Sequence, residues 1–345
     1  MNKNTRKKQL SYIIFIVIYF LFFGALLAVG SVYDLEIEKN LFNPQNSFAK
    51  FFEIWGEVPR FAMWAPAATV LLFTRHNLAD CLEIIHKILP FIPCLSEEAK
   101  TKKPYIVLNK IVNIVEIIGF TVLAILGWDK VIRNVGKYYV DLSKGIWYLI
   151  SAVVALIVFA IFTKIPKRIL NKLEPLALAG ILMGILFMFE APIKSIANRA
   201  RFREIVAYSA GIEDPKSIAI NSSLIDRANF DYYTNWYQKG FGGEVINSFK
   251  LEGTSCPSGH VISGCFIFLS AVFCNTFKKL KKLTIPACIV SFVYVGTLGF
   301  TRILRGAHFL SDIALGAMVG MIFFLITVGI LKLFYRKSIL PTRDI

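Results

Sequence analysis

Histidine is scarce in this chain. Only His76, His86, His260 and His308 occur in 345 residues, so any imidazole chemistry falls on one of four positions. Cysteine occurs six times, never at a metal-ligand spacing, and no disulfide framework is expected. Cys265, Cys274 and Cys288 sit in apolar blocks, where a thiol behaves as a small hydrophobe. No metal cluster is visible, no cofactor is expected, and there is neither an internal repeat nor a low-complexity linker. Acidic residues are also few, 23 Asp and Glu against 39 Lys and Arg, for a net charge of +16. In a soluble chain that balance would suggest nucleic acid. Here the basic residues cluster at the ends of apolar blocks, as cytoplasmic membrane flanks do, without the aromatic interleaving that grips single strands. No nucleic-acid partner is expected. Polar surface is the largest shortage: 56% of residues are hydrophobic and the mean hydropathy is +0.59. A soluble chain of this length would need more polar residues to cover itself.

What is present is a series of long apolar runs. The first, from about Tyr12 to Val32, follows the basic residues Lys3, Arg6, Lys7 and Lys8. It is longer than a signal core and long enough to span a bilayer, so it reads as a retained transmembrane helix. Further spans are predicted at about 59–75, 105–127, 146–163, 175–191, 257–277, 284–301 and 310–334. The fold class predicted is all-α, a polytopic bundle of about eight transmembrane helices. The stretch from Asn77 to Pro93 reads as amphipathic and suited to a membrane surface.

Charge sets the predicted orientation. Lys164, Lys167, Arg168 and Lys172, then Lys278, Lys279, Lys281 and Lys282, and finally Arg336 and Lys337 fall on the side of the N-terminus if there are eight spans. Both termini are then cytoplasmic, the acidic Asp34–Glu57 segment is outside, and so is the long loop 192–256. The composition leans towards the plasma membrane of a bacterium.

Three short segments then fall at the outer ends of helices: Lys194 to Arg203, Cys256 to His260, and Thr301 to Asp312. Pro257, Ser258 and Gly259 open an apolar helix; proline suits a first turn that has no use for its missing N–H. The N–H groups of Ser258, Gly259 and His260 would face outward with the positive helix end behind them, an anion site. His308 and Asp312, four residues apart, share one helical face. A carboxylate there can take the proton of one ring nitrogen and leave the other as a nucleophile. Lys194, Arg201 and Arg302 add three cations. Each part alone has an ordinary explanation: a histidine packs, a lysine snorkels, Pro-Ser-Gly starts a helix. Their coincidence on one predicted face, with both outward histidines among them, points to phosphoryl transfer.

These segments resemble the type 2 phosphatidic acid phosphatase superfamily, membrane phosphatases related to vanadium haloperoxidases. The pattern is Lys-x6-Arg-Pro, Pro-Ser-Gly-His and Ser-Arg-x5-His-x3-Asp. Lys194 and Arg201 match the first, with Phe202 in place of proline. Pro257 to His260 match the second completely, after Cys256 where an aromatic residue is frequent. Arg302, His308 and Asp312 match the third, with Thr301 for serine. The motif-bearing part runs over about 174–334, so residues 1–173 are taken as N-terminal membrane helices and 174–345 as a haloperoxidase-like catalytic core, in one membrane unit.

The resemblance implies a lipid phosphate phosphatase without metal. His308 would attack phosphorus to give a phosphohistidine, Asp312 would orient His308, and His260 would protonate the leaving alkoxide and later activate water. Lys194, Arg201, Arg302, Ser258 and Gly259 would hold the phosphate oxygens. The partners implied are membrane lipids and a lipid phosphate substrate, such as a polyprenyl diphosphate or a phosphatidate. A phosphotransferase of the same family, an anionic-solute transporter and a silent lipid-phosphate binder remain alternatives. The aromatic stretch Phe230–Tyr237, followed by Gly240–Gly243, reads either as an interfacial belt or as a lid over the headgroup.

Overall fold

An apolar run in a bilayer has no water to satisfy its backbone, and a helix satisfies every N–H and C=O within itself. The computed structural model describes residues 3–74, 100–216 and 222–336, and helices dominate them. In order they are α1 (Lys3–Leu41), α2 (Ser47–Trp55), α3 (Val58–Thr74), α4 (Lys103–Gly136), α5 (Lys144–Phe162), α6 (Lys167–Phe187), α7 (Glu190–Ala197), α8 (Phe202–Ser209), α9 (Ser222–Asp226), α10 (Gly259–Gly264), α11 (Leu269–Thr276), α12 (Thr284–Leu304) and α13 (Leu310–Arg336). Short 3-10 turns at Cys265–Phe268 and Lys278–Leu283 carry the chain onward from α10 and α11. One small hairpin, β1 (Val245–Ile246) against β2 (Phe249–Lys250), lies in the long loop. The all-α class holds. The amphipathic stretch 77–93 lies outside the described residues.

Among the described residues, seven helices are long and apolar enough to cross a membrane, which makes this a membrane protein. The predicted span at 59–75 is α3, with 17 residues. At about 1.5 Å per residue it reaches roughly 26 Å, short of the ~30 Å of a typical hydrocarbon core. By length alone, seven of the predicted spans qualify among the described residues, and α3 is the short one.

The chain folds as two compact units. One contains the segments up to residue 59, 185–271 and 282–324; the other contains 60–184, 272–281 and the residues from 325 onward. All three motifs fall in the first. So does α1, whose span of 32 residues, Leu10–Leu41, is much longer than the ~20 residues a bilayer needs. Asp34 to Leu41, the start of the segment expected outside, continue this helix. Its buried face repeats every turn or two: Tyr19, Phe23, Gly30, Asp34 and Glu38, the spacing of a helix packed along one stripe. Tyr19 and Phe23 meet Phe292, and the Tyr19 hydroxyl donates to the Ala317 carbonyl (3.1 Å).

The core beside the motifs is built from Phe42, Ala200, Phe202, Ile205, Val206, Leu251 and Phe309. Phe202, which replaces the family's proline, is fully buried and stacks on Phe230. The substitution thus buys a core anchor. In the second unit, Ala67, Val70, Leu71 and Ala177 form a smaller core between α3 and α6.

Candidate active site

α7 ends at Asn198, whose left-handed backbone (φ 47°) turns the chain sharply so that Lys194 and Arg201 approach from either side of the bend. The Asn198 side chain donates to the Gly242 carbonyl (2.8 Å), which ties the glycine-rich loop to the first motif. The aromatic stretch is tied down as well. Tyr233 packs on Phe309, and the Trp236 ring nitrogen donates to the Ser31 hydroxyl (2.8 Å). Much of it is core packing, a role that neither a belt nor a lid anticipates; of its aromatic side chains only Tyr237 is well exposed.

The two motif histidines come together. The His260 and His308 rings lie 6.4 Å apart, centre to centre. His308 is buried, while the His260 side chain keeps 24% of its surface open. The imidazole of His308 is pushed well below its usual pKa by burial, then by the positive field of Lys194, Arg302 and Arg201, and last by His260. That shift keeps it neutral at physiological pH, the form a nucleophile needs. All three cations are near enough for their charge to act on this ring.

The tautomer follows from one contact. Nδ1 of His308 sits 2.6 Å from the Ser255 backbone carbonyl. A carbonyl only accepts, so Nδ1 carries the proton and Nε2 keeps its lone pair. The partner predicted for that nitrogen was Asp312. Its carboxylate instead accepts from Arg199 Nη1 (2.7 Å), the Ser255 hydroxyl (2.5 Å) and the Phe309 amide (3.0 Å). Asp312 therefore reaches His308 through Ser255, one residue removed. The reason is local: Asp312 folds back over the first turn of α13 and caps the Phe309 N–H, an orphan donor at that end.

The groups expected to hold phosphate are also engaged. Lys194 pairs with Glu190 one turn earlier (2.6 Å). Arg201 binds Glu252 (2.7 Å), Glu204 (3.1 Å) and the Thr254 hydroxyl (2.7 Å). These two cations, with Ser195, Asn198, Gly253 and Thr254, line a cavity of about 510 Å³. Among the described residues Arg302 has a loose contact with Glu53 (3.6 Å), and its buried Nε and Nη1 have no hydrogen-bond partner. Unfilled donors of that kind on a buried guanidinium are costly unless something arrives to accept them. Glu53 itself joins three arginines, reaching Arg203 (3.2 Å) and Arg305 (2.7 Å) as well. Burial would raise its pKa, but Arg302, Arg305 and Arg203 outweigh that and lower it to about 2.

At the helix start the prediction needs one change. The Ser258 amide does not face outward: it donates to the Asp312 carbonyl (3.0 Å). Its buried hydroxyl, by contrast, has no hydrogen-bond partner among the described residues. Gly259 has a steric reason, because a Cβ there would strike the Glu190 carboxylate and come within 3.2 Å of the Lys194 ammonium. Glu57 Oε1 lies 3.9 Å from Nδ1 of His260. Among the described residues, no group of three or more His, Cys, Asp and Glu side chains is placed to hold a metal ion.

Arg199, Ser255, Glu53 and Asp34 were missed as site residues. Arg199 stood inside a basic stretch whose other members matched a motif, and Ser255 contributes a backbone oxygen that carries no sequence signal. Asp34 and Glu38 did leave one: two acids one turn apart at the end of an apolar run.

The two imidazoles, one buried and one partly open, lie close to the ends of helices long and apolar enough to cross a membrane, which defines a polytopic membrane protein with a histidine pair at its helix ends. The family comparison agrees: the PAP2 superfamily model matches residues 148–336, more than half of the chain, and the protein belongs to that superfamily. The match starts before the motif-bearing part predicted from residue 174. A phosphatase-type function follows in general terms. No curated protein matches this chain, and no solved structure does.

Proposed function

We propose that this protein removes phosphate from a lipid phosphate through a phosphohistidine intermediate. The observation that carries the reading is the pair of imidazoles 6.4 Å apart, one of them buried, with a neutral ring and its Nε2 lone pair free. A phosphoryl group can lie between them.

In the first step Nε2 of His308 forms a bond to phosphorus as the bond from phosphorus to the lipid oxygen breaks. His260 gives its proton to the leaving alkoxide. In the second, His260 takes a proton from water, the water oxygen bonds to phosphorus, and the P–N bond breaks to release phosphate and neutral His308. Charge on the three equatorial oxygens is stabilised by Lys194, Arg201 and Arg302, the last through its unfilled donors, and by the Ser258 hydroxyl. Gly259 lets those oxygens approach the helix start closely.

A lipid substrate is supported by where the residues come from. Lys194 lies at the end of one apolar span, Arg302 at the end of another, and Asp312 at the beginning of a third, so a headgroup reaches the site while its tail stays in the bilayer. The reading extends to a plasma-membrane protein with cytoplasmic termini and an outward-facing site. That topology requires an even number of crossings, hence α3 as an eighth.

The test is phosphate release by purified protein from farnesyl diphosphate, dioctanoyl phosphatidate and phosphatidylglycerol phosphate. Release that survives a chelator and is suppressed by vanadate, which mimics the pentacoordinate transition state, is the expected result. Labelling of an acceptor lipid instead of water would convert the reading to a phosphotransferase. Loss of turnover in the chelator would remove the cation-only mechanism.

A further inference from the structure

The residue that holds Asp312 in place is itself held from far away in the chain. Arg199 is wholly buried, and its Nη1 donates to Asp312 Oδ1 (2.7 Å) and to the Ser311 hydroxyl (2.8 Å). Its Nη2 donates to Asp34 Oδ2 (3.0 Å). The Ser311 amide donates to Asp34 Oδ1 (3.0 Å), and the Ser311 hydroxyl also contacts the Asp34 carboxylate. The guanidinium lies over the Phe309 ring, 4.1 Å from its centre. Asp34, Ser255, Ser311 and Asp312 are all shut off from solvent.

We propose that Asp34, on the first helix, is a positioning residue for the nucleophile, acting through Arg199, Asp312 and Ser255 on His308. This rests on the phosphatase reading above and adds a residue outside the part of the chain that the family model matches, 148–336. The physical argument has three steps. A guanidinium presents its donors in a rigid fork, so fixing one arm on Asp34 fixes the direction of the other on Asp312. Asp312 in turn takes the Ser255 hydroxyl at 2.5 Å, which sets where the Ser255 carbonyl points. That carbonyl holds the Nδ1 proton of His308 and so decides both the tautomer and the aim of Nε2. Outer partners of this kind set ligand orientation at metal sites, and their loss there costs roughly 10- to 100-fold.

Packing supports the same link. Gly30 lies one turn before Asp34, and a Cβ there would come within 2.7 Å of the Ser311 amide nitrogen and of Asp34 Oδ1. The helix is therefore pressed against the start of α13 closely enough that only glycine fits. Arg199 also shows the balance of charge. Burial alone would lower its pKa, but Asp312 and Asp34 hold it above its ordinary value.

The test compares Asp34→Asn with wild type on two readouts, using the full-length protein. The first is turnover of dioctanoyl phosphatidate and farnesyl diphosphate: kcat should fall about 10- to 100-fold while KM stays within about twofold. In an Asp312→Asn background, Asp34→Asn should cost less than about twofold further, because both act along one chain of contacts. The second is 15N NMR of the imidazoles, simplified by the presence of only four histidines. His308 should show a single Nδ1-protonated tautomer in wild type and a mixture in the variant. Unchanged kcat with an unchanged His308 signal overturns the proposal, as does an additive loss in the double variant. Wild type that releases no phosphate, with a His308 signal that still responds to Asp34→Asn, would sink the phosphatase reading and leave this link standing. If Asp34→Asn does not fold, Ser311→Ala replaces it. A fall of threefold or more in kcat at constant KM, with the same mixing of tautomers, supports the proposal; no change in either overturns it.

Discussion

The two compact units differ in how far along the chain their buried polar contacts reach. In the unit that holds α3 to α5, Thr69, Thr74 and Ser151 each return a hydroxyl hydrogen bond to the carbonyl four residues earlier. The buried Asp129 pairs with Arg133 one turn on (2.7 Å). These contacts close within a single helix and would survive if the helix stood alone. In the unit that carries the motifs, Arg199 reaches Asp34 and Asp312, Arg305 reaches Glu53, and the Ser255 hydroxyl reaches Asp312, across separations of 57 to 252 residues. Buried charge is expensive unless fully paired, and at membrane depth it is rarer still. A fold that concentrates so many long-range ion pairs in one place is holding a fixed geometry there. In the other unit the contacts named above each hold within one helix.

The sharpest way to break this contrast is at the proposed nucleophile, His308. His308→Ala should reduce phosphate release by at least about 1,000-fold, measured against any of the three lipid phosphates, with the circular dichroism spectrum retained. His308 is buried rather than at the exposed surface, so some loss of thermal stability should accompany the loss of turnover. Residual activity within tenfold of wild type would place the chemistry on another residue.

Glu53 comes next. It is the single carboxylate that joins Arg203, Arg302 and Arg305, and Glu53→Gln should leave three buried cations without their common counter-ion. Removing one partner of a buried pair costs about 3–5 kcal/mol. The pH dependence has a definite sign. A carboxyl with a lowered folded pKa stabilises above its unfolded value near 4.5 and loses that contribution as pH falls towards about 2. The shift corresponds to about 3 kcal/mol, so acid unfolding between pH 4.5 and 2 should be shallower in Glu53→Gln than in wild type. Superimposable acid limbs would mean that the three arginines do not depend on Glu53.

How far these features could be read in advance follows the same division. The helices were visible because hydrophobicity is local, and a run of about 20 apolar residues announces itself wherever it packs. The eight motif residues were visible because their spacings, six and four residues from Arg302 to His308 to Asp312, survive as patterns along the chain. What escaped was the wiring between segments. Nothing near Asp312 says that its carboxylate turns away from His308 to Arg199, and nothing near Asp34 names a partner 165 residues on. The Ser258 amide shows the limit most clearly. An anion site was expected from a helix start alone, yet the Asp312 carbonyl of another helix already occupies that N–H.

The smallest effect tests the other side of the contrast. Leu156 on α5 is 68% exposed, with Leu149 and Ile157 among its exposed neighbours. A large apolar side chain left open on a helix that is apolar throughout is explained by lipid contact, because hydrocarbon is as good a surrounding for leucine as a protein core. Leu156→Ala should therefore change stability in detergent or bilayer by no more than about 0.5 kcal/mol and leave kcat and KM within experimental scatter. A buried leucine replaced in the same way would cost about 2–5 kcal/mol. A loss of that size at Leu156 would show that this face packs against protein, and that the apparent simplicity of the unit hides an interface.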